Sequence, residues 1–269
     1  MKIAYCFYGC AGGIEGKSLE KKEGSDIIIN MSAERMFKKV DCSQFDFFIH
    51  TWDIDRKEQL ESIYKPKKMI AENQIIFNIP SHLPIEKTDR IQAHYSRWYS
   101  AKQCIRLKRK YEIENNFKYD LVVASRLDIY WLKQFDFNTL DNTKFNISQC
   151  EINGHPYVRN DGPEAQDLLL ASNSNYMDQF HTMYDFLDEY TKPGQCPSWN
   201  AISSHFLTVW HLKKIGLWDK ISLPYNFWYY GYSNSLEKSD FTLSRTLFPG
   251  CYTIKGIIDY NLIEKLKNI

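Results

Sequence analysis

The side chains with the most chemistry to offer stand at the ends of three apolar runs. Tyr8-Gly9-Cys10 closes the first, His50-Thr51-Trp52-Asp53 the second and Ser125-Arg126-Leu127-Asp128 the third. The runs themselves, 3–8, 45–50 and 119–124, read as buried strands. In open α/β sheets, ligands collect outside the carboxyl ends of the strands. If the three strands are parallel, one edge gathers an aromatic ring, a flexible backbone turn, a guanidinium and two carboxylates. Such a set suits a nucleoside diphosphate. A ring stacks on the base, backbone N–H groups meet the phosphates, and a carboxylate holds a hard divalent cation, Mn or Mg, bridging phosphate oxygens. Asp128 is the carboxylate best placed for that cation, although a strand-end Asp also caps turns. Arg126 is placed either to neutralise the charge on a leaving diphosphate or to pair with Asp128. Trp52 and Asp53 carry the same two readings, ligand contact or strand-end structure.

Other constellations compete. Ala11-Gly12-Gly13-Ile14-Glu15-Gly16-Lys17-Ser18 fits a loose phosphate-loop pattern with Ala in the first glycine's place. In a P-loop the Lys reaches phosphates and the Ser holds magnesium. A helix would have to begin at Lys17, yet Gly24 ends it after about two turns, so a loop that shields a phosphate without being a P-loop is the better expectation. Glu164 and Asp167 are paired carboxylates in a Gly/Pro loop; one of them suits a general base for an acceptor hydroxyl, the alternative being a helix cap or solvated loop. His205, in Ser203-Ser204-His205, either completes a metal shell from the far side of the site or is an ordinary histidine on a helix. No G-x-S-x-G, H-E-x-x-H or G-x-G-x-x-G pattern occurs.

Positioning these residues requires the elements between them. The pattern predicts helices over 31–40, from Thr88 or Asp89 to 115, over 175–190 and over 202–215, the last ended by Gly216. A short third strand is expected at 75–77, and 153–167 is expected as a loop. The Arg/Lys-rich turn at 106–110 reads as a solvated face. Strands alternating with helices predict an α/β fold: a mostly parallel central sheet with helices on both faces. No linker or repeat divides the chain, so 1–269 is expected as one domain.

Composition narrows the partners. Lys plus Arg number 34 against 33 Asp plus Glu, which argues against a nucleic-acid partner at the level of the whole chain. The 15 % aromatic share fills a core and leaves loop rings to stack on sugars or bases. Seven Cys, an odd count without a C-x-x-C pair, fit neither a disulfide framework nor a zinc site. Free thiols in a reducing compartment, the cytoplasm, are the expectation. The apolar N-terminal run is too short for a signal peptide, and no stretch approaches the roughly 18 to 20 apolar residues of a membrane span.

Taken together, these residues resemble a family of glycosyltransferases from bacterial surface-polysaccharide clusters and large DNA viruses, with the GT-A (Rossmann-like nucleotide-diphospho-sugar transferase) architecture. The similar elements are Lys2-Ile3-Ala4 running to Phe7-Tyr8-Gly9, Phe48-Ile49-His50-Thr51-Trp52-Asp53, Ser96-Arg97-Trp98-Tyr99-Ser100, Tyr119-Asp120-Leu121-Val122 into Ser125-Arg126-Leu127-Asp128, and Ser203-Ser204-His205. The resemblance implies transfer of a sugar from a nucleotide-diphospho-sugar to a glycan or lipid-linked sugar acceptor. It implies that Asp128 stands where such enzymes carry a metal-binding Asp-x-Asp, with Arg126 replacing the first Asp. It also implies that Tyr8 and Gly9 face the nucleotide, and that the helix around 96–102 lines the donor pocket with Arg97, Ser100 and Lys102. On that reading 1–135 is the nucleotide-sugar half and 136–269 the acceptor half, where Asp167 meets the acceptor. Two other functions fit the residues: a P-loop kinase or phosphotransferase built on Lys17, and a non-catalytic carbohydrate-binding protein of the same fold.

Overall fold

The computed structural model describes residues 1–14, 23–84, 87–152, 155–156, 158–159, 162–163, 165–195, 203–228 and 239–244. In chain order the strands are β1 (Ile3–Gly9), β2 (Phe45–Thr51), β3 (Lys68–Ala71), β4 (Leu121–Arg126), β5 (Ile129–Trp131) and β6 (Phe145–Ile152). They continue with β7 (His155–Pro156), β8 (Val158–Arg159), β9 (Gly162–Pro163), β10 (Gln166–Ser172), β11 (Ile221–Trp228) and β12 (Phe241–Leu243). The α-helices are α1 (Ser25–Lys39), α2 (Lys57–Tyr64), α3 (Thr88–Glu114), α4 (Ser174–Phe180), α5 (Met183–Tyr190) and α6 (Ser204–Lys214).

The central sheet runs β11-β6-β10-β4-β1-β2-β3. β1 pairs in parallel with β2 and β4, β2 with β3, and β6 with β11. β10 alone on this path runs antiparallel to both its neighbours. The mostly parallel α/β sheet expected from the sequence is therefore present, with strands drawn from both halves of the chain. Outside it, β5 pairs with β12, β7 with β6 and β8 with β9, all antiparallel.

Side-chain alternation in β1 explains its unbroken apolar run. Ala4, Cys6 and Tyr8 enter one core, with residues of α3, α4, α5 and α6. Ile3, Tyr5 and Phe7 enter a second core, with residues of α1 and α2. A strand buried on both faces has no solvent side to encode, and helices cover both faces as predicted.

Several boundaries differ from expectation for physical reasons. The first helix begins at Ser25, before 31, because Ile28 and Ile29 extend the buried stripe of Ala33 and Met36 backwards. The third strand is Lys68–Ala71, half-buried on the edge of the sheet. At 75–77 there is no strand: Ile76 is 89 % exposed, and the Phe77 N–H and carbonyl bond the Gln92 side chain instead of a ladder. The helix expected over 175–190 is broken into α4 and α5 between Phe180 and Met183. Asp167, expected in a loop, stands in β10, whose apolar 168–171 run is fully buried. Lys108, expected on a solvated face, is buried, and its Nζ meets Glu112 (3.1 Å), Asp178 (2.7 Å) and the Ser174 hydroxyl (2.6 Å). Gly216 follows α6 at φ 73, the left-handed position that favours glycine. Among the described residues no helix is long and apolar enough to cross a membrane, and Cys6, Cys10, Cys42 and Cys104 are free thiols.

Candidate functional site

Register places the three strand ends side by side: Tyr8 lies opposite both His50 and Arg126, and Gly9 opposite Thr51. A cavity of about 330 Å³ opens at this edge. Tyr8, Gly9, Cys10, Trp52 and Arg126 line it from the strand ends, and Asp167 from β10. Arg90, Ala93, His94, Ser96 and Arg97 line it from α3, Gln74 from the segment after β3, and Ser203, Ser204 and His205 from the start of α6.

The floor of the cavity is a backbone turn held from behind. Gly9 adopts φ 87, which a side chain at this position would resist. Its N–H donates to Ser100 Oγ at 2.7 Å. Ser100 Oγ lies 2.8 Å from His50 Nδ1, and His50 Nε2 lies 3.0 Å from Glu72 Oε1. Burial depresses the His50 pKa more than Glu72 raises it. In neutral His50 the Nε2–H donates to Glu72 and Nδ1 accepts the Ser100 hydroxyl proton, a tautomer assigned from the partners. The Ser-His-Glu order resembles a hydrolase triad, but Ser100 is fully buried and already engaged with the backbone, so it sets the turn.

Asp53 plays a similar part. It is buried, and its Oδ2 accepts the Ala11 N–H at 2.7 Å and the Thr51 hydroxyl at 3.3 Å. It ties the chain leaving β1 to the chain leaving β2 and does not line the cavity. Asp53→Ala is expected to strand the buried Ala11 N–H at a cost of about 1–3 kcal/mol. Asp53→Asn, which keeps an acceptor, should recover most of that loss in a thermal melt; equal losses for the two variants would refute the clamp.

The cavity wall is built on an ion pair. Arg97 Nη1 lies 2.6 Å from Asp167 Oδ2. Arg97 Nη2 also donates to the Asp167 backbone carbonyl and, at 3.3 Å, to the Tyr8 hydroxyl oxygen. Tyr8 in turn donates to the same carbonyl at 3.0 Å. Burial pushes the Asp167 carboxyl up, but the charges of Arg97, His205 and Arg126 outweigh it and hold the group below the ordinary carboxylate range. His205 Nδ1 donates to the Ala165 carbonyl at 3.1 Å and lies 3.7 Å from Asp167 Oδ1. His94 is buried with its Nδ1 3.0 Å from Ser204 Oγ. Burial, reinforced by the Arg97 charge, pushes it down to about 3, so it is neutral at physiological pH.

Arg126 reaches the cavity, but Asp128 does not line it. The Asp128 carboxylate is fully buried and accepts both Arg126 Nε (2.7 Å) and Nη2 (2.5 Å), a bidentate pair. Asp128 therefore does not fit a divalent-cation site: its oxygens are turned to the guanidinium. Among the described residues no three His, Cys, Asp or Glu side chains converge as metal ligands.

Of the residues singled out from the sequence, Tyr8, Gly9, Trp52, Arg97, Arg126, Asp167 and His205 share the cavity. Asp53, Ser100 and Asp128 stand behind it as braces. Lys102 lies away from it, paired with Asp185 beside the Tyr184 ring. Glu164, Lys17 and Ser18 lie outside the described residues. Trp52 is buried, its ring stacked on Tyr99 at 5.6 Å. Sequence reasoning missed Arg90, His94, Gln74 and Ser204. A signal for two of them was present: Arg90, His94 and Arg97 recur at i, i+4 and i+7, a polar stripe on one face of α3. The chain matches no protein-family model and no curated protein.

Proposed function

We propose that the cavity binds a nucleotide-diphospho-sugar and that the protein is a glycosyltransferase in which Arg126 stands opposite the leaving diphosphate. The observation that carries this reading is the placement of Arg126. Its guanidinium is locked by Asp128 at the carboxyl end of a parallel strand, beside the Gly9 turn, in a cavity also lined by Arg90 and Arg97. A cation held rigid before the reaction stabilises charge that develops on the leaving oxygen without reorganising. The cavity volume lies in the range of small-molecule sites. Asp167, held anionic by Arg97, is a poor proton acceptor; it is better suited to orient a hydroxyl than to act as the general base expected from the sequence.

Thermal melting with a panel of nucleoside diphosphates tests the reading, with Mn2+ or EDTA present. A matching nucleotide at about one hundred times its Kd adds about 2.7 kcal/mol to stability, several degrees in Tm for a chain of this size. The shift is expected to persist in EDTA. A shift that needs Mn2+ would return the cation to the site, and no shift with any nucleotide would sink the proposal. A phosphotransferase built on Lys17 predicts instead that Lys17→Ala abolishes the response and Arg126→Ala spares it. A non-catalytic binder predicts binding without release of diphosphate from any donor.

A further inference from the structure

The two most exposed large apolar side chains among the described residues are Ile76, at 89 %, and Ile113, at 70 %. Scattered exposed apolar residues are ordinary, but these two bound the outer face of one helix. α3 packs on β1, β2 and β3. It turns Arg106, Arg109, Lys110 and Ile113 the other way, within about 100° of arc, and all four are exposed. Segment 74–77 crosses the first half of the same helix and is clamped there. The Gln74 amide donates to Ser96 Oγ at 3.0 Å, the Phe77 backbone bonds the Gln92 side chain, and the Phe77 ring lies against Tyr95 and Tyr99. With its neighbours held, Ile76 is kept out in solvent. About 27 Å of helix separates Tyr95 from Ile113.

Charge between these two ends is one-sided. Lys65, Lys67 and Lys68, in and just before the edge strand β3, adjoin the Arg106 to Lys110 stripe, because Lys68 and Lys110 both reach Glu114, at 2.6 and 3.9 Å. Asp46 pairs with Lys67 at 3.4 Å, and Glu61 is matched by Lys57. Lys102, the next cation along the stripe, is neutralised by Asp185. Among the described residues Lys65, Arg106 and Arg109 form no ion pair, so positive charge is in excess. A second copy of the chain would bring like charges together on this face. A soluble acidic polymer would satisfy the cations and leave both isoleucines wet. A bilayer with anionic headgroups takes cations at its surface and apolar side chains just beneath it. We propose that the outer face of α3, from Ile76 to Ile113, docks on an anionic lipid surface, with Arg106, Arg109 and Lys110 at the headgroups. Gln74, two residues before Ile76, lines the cavity, so docking holds the cavity close to the bilayer. The surface does not depend on sugar transfer.

Co-sedimentation with vesicles tests it, using phosphatidylcholine alone or with one quarter phosphatidylserine. The wild-type chain is expected to pellet with the mixed vesicles and to stay in solution with phosphatidylcholine alone. A cation at an anionic surface is worth roughly fivefold in affinity. Arg106→Gln combined with Arg109→Gln is therefore expected to weaken binding about 30-fold. Ile76→Ser and Ile113→Ser are each expected to weaken it by about fivefold through lost apolar contact. All four positions are exposed, so the variants should melt as the wild type does and keep its response to nucleotides. Salt gives a readout that needs no variant: wild-type binding should collapse as the Debye length falls from about 10 Å at 0.1 M to about 3 Å at 1 M. No pelleting with either vesicle, equal pelleting with both, or binding indifferent to salt and to the arginine variant would overturn the proposal. So would isoleucine variants that bind as the wild type does while dextran sulfate competes fully with the vesicles, which would assign the face to an acidic polymer. A wild type that binds vesicles but no nucleotide would sink the transferase reading and leave this one standing.

Discussion

An Arg97→Ala variant is expected to lose about 3–5 kcal/mol of stability, the cost of removing one partner of a buried ion pair. Asp167 is fully buried, and among the described residues Arg97 is its nearest countercharge, at 2.6 Å. Without the guanidinium, the carboxylate stays buried and unpaired, and Tyr8 and the Asp167 carbonyl lose a shared donor. At this chain length the loss corresponds to a fall in Tm on the order of 10 °C. Its pH dependence has a defined sign. The folded-state pKa of Asp167 lies below its ordinary value of 3.8, so its contribution is present above that value and is lost as pH falls through the folded pKa. In the variant the buried carboxyl is instead relieved by protonation. Melts from pH 7 down to about pH 3 should therefore show the gap between wild type and variant closing on acidification. A gap that stays constant would mean that packing of the arginine stem, and not its charge, carries the effect. Arg97→Lys keeps a charge but not the planar fork, and is expected to fall between the two.

The Arg97–Asp167 pair also shows where sequence reading stops. Strands β1, β2 and β4 were legible because each is a continuous β-prone run, and α3 because it is long and half-buried. The convergence of Tyr8, Trp52 and Arg126 followed from one rule of topology, that parallel strands present their carboxyl ends together. β3 was not legible: Lys68–Ala71 is four residues with no alternation. β10 was hidden because Gln166 and Asp167 follow a Gly/Pro segment, and a short apolar run alone has no period to separate strand from helix. The ion pair links residues 70 apart, a juxtaposition decided by β10 pairing antiparallel to β4. Asp53 and Asp128 show a subtler limit. Both stand at strand ends, where an acid can face a ligand or an orphaned donor. Asp53 turns to the Ala11 N–H and Asp128 to Arg126. The choice depends on which buried donors lack other acceptors, and that is known only once the turn at Gly9 and the course of β4 are in place.

Arg126→Ala is expected to weaken nucleoside diphosphate binding by about 30-fold or more, the lower end of the effect of removing a hydrogen-bonded charge. It also leaves the Asp128 carboxylate without its bidentate partner in the core, so stability falls as well. A loss of binding on its own would therefore be ambiguous, and the pair must be taken apart by a cycle. Asp128→Asn keeps the side-chain shape and removes the charge. If Asp128 ligated a cation, this variant would lose its response to Mn2+ and keep its stability. As the brace of Arg126, it should instead loosen the guanidinium and weaken diphosphate binding equally in Mn2+ and in EDTA. Arg126→Met with Asp128→Leu removes both charges and fills the space with apolar side chains, a change that is often neutral for a buried pair. The double variant should melt near the wild type and still fail to bind the diphosphate, because stability needs only that neither charge be buried alone, whereas binding needs the guanidinium itself. Recovery of diphosphate binding together with stability in that variant would show that Arg126 supports the fold and takes no part in holding phosphate.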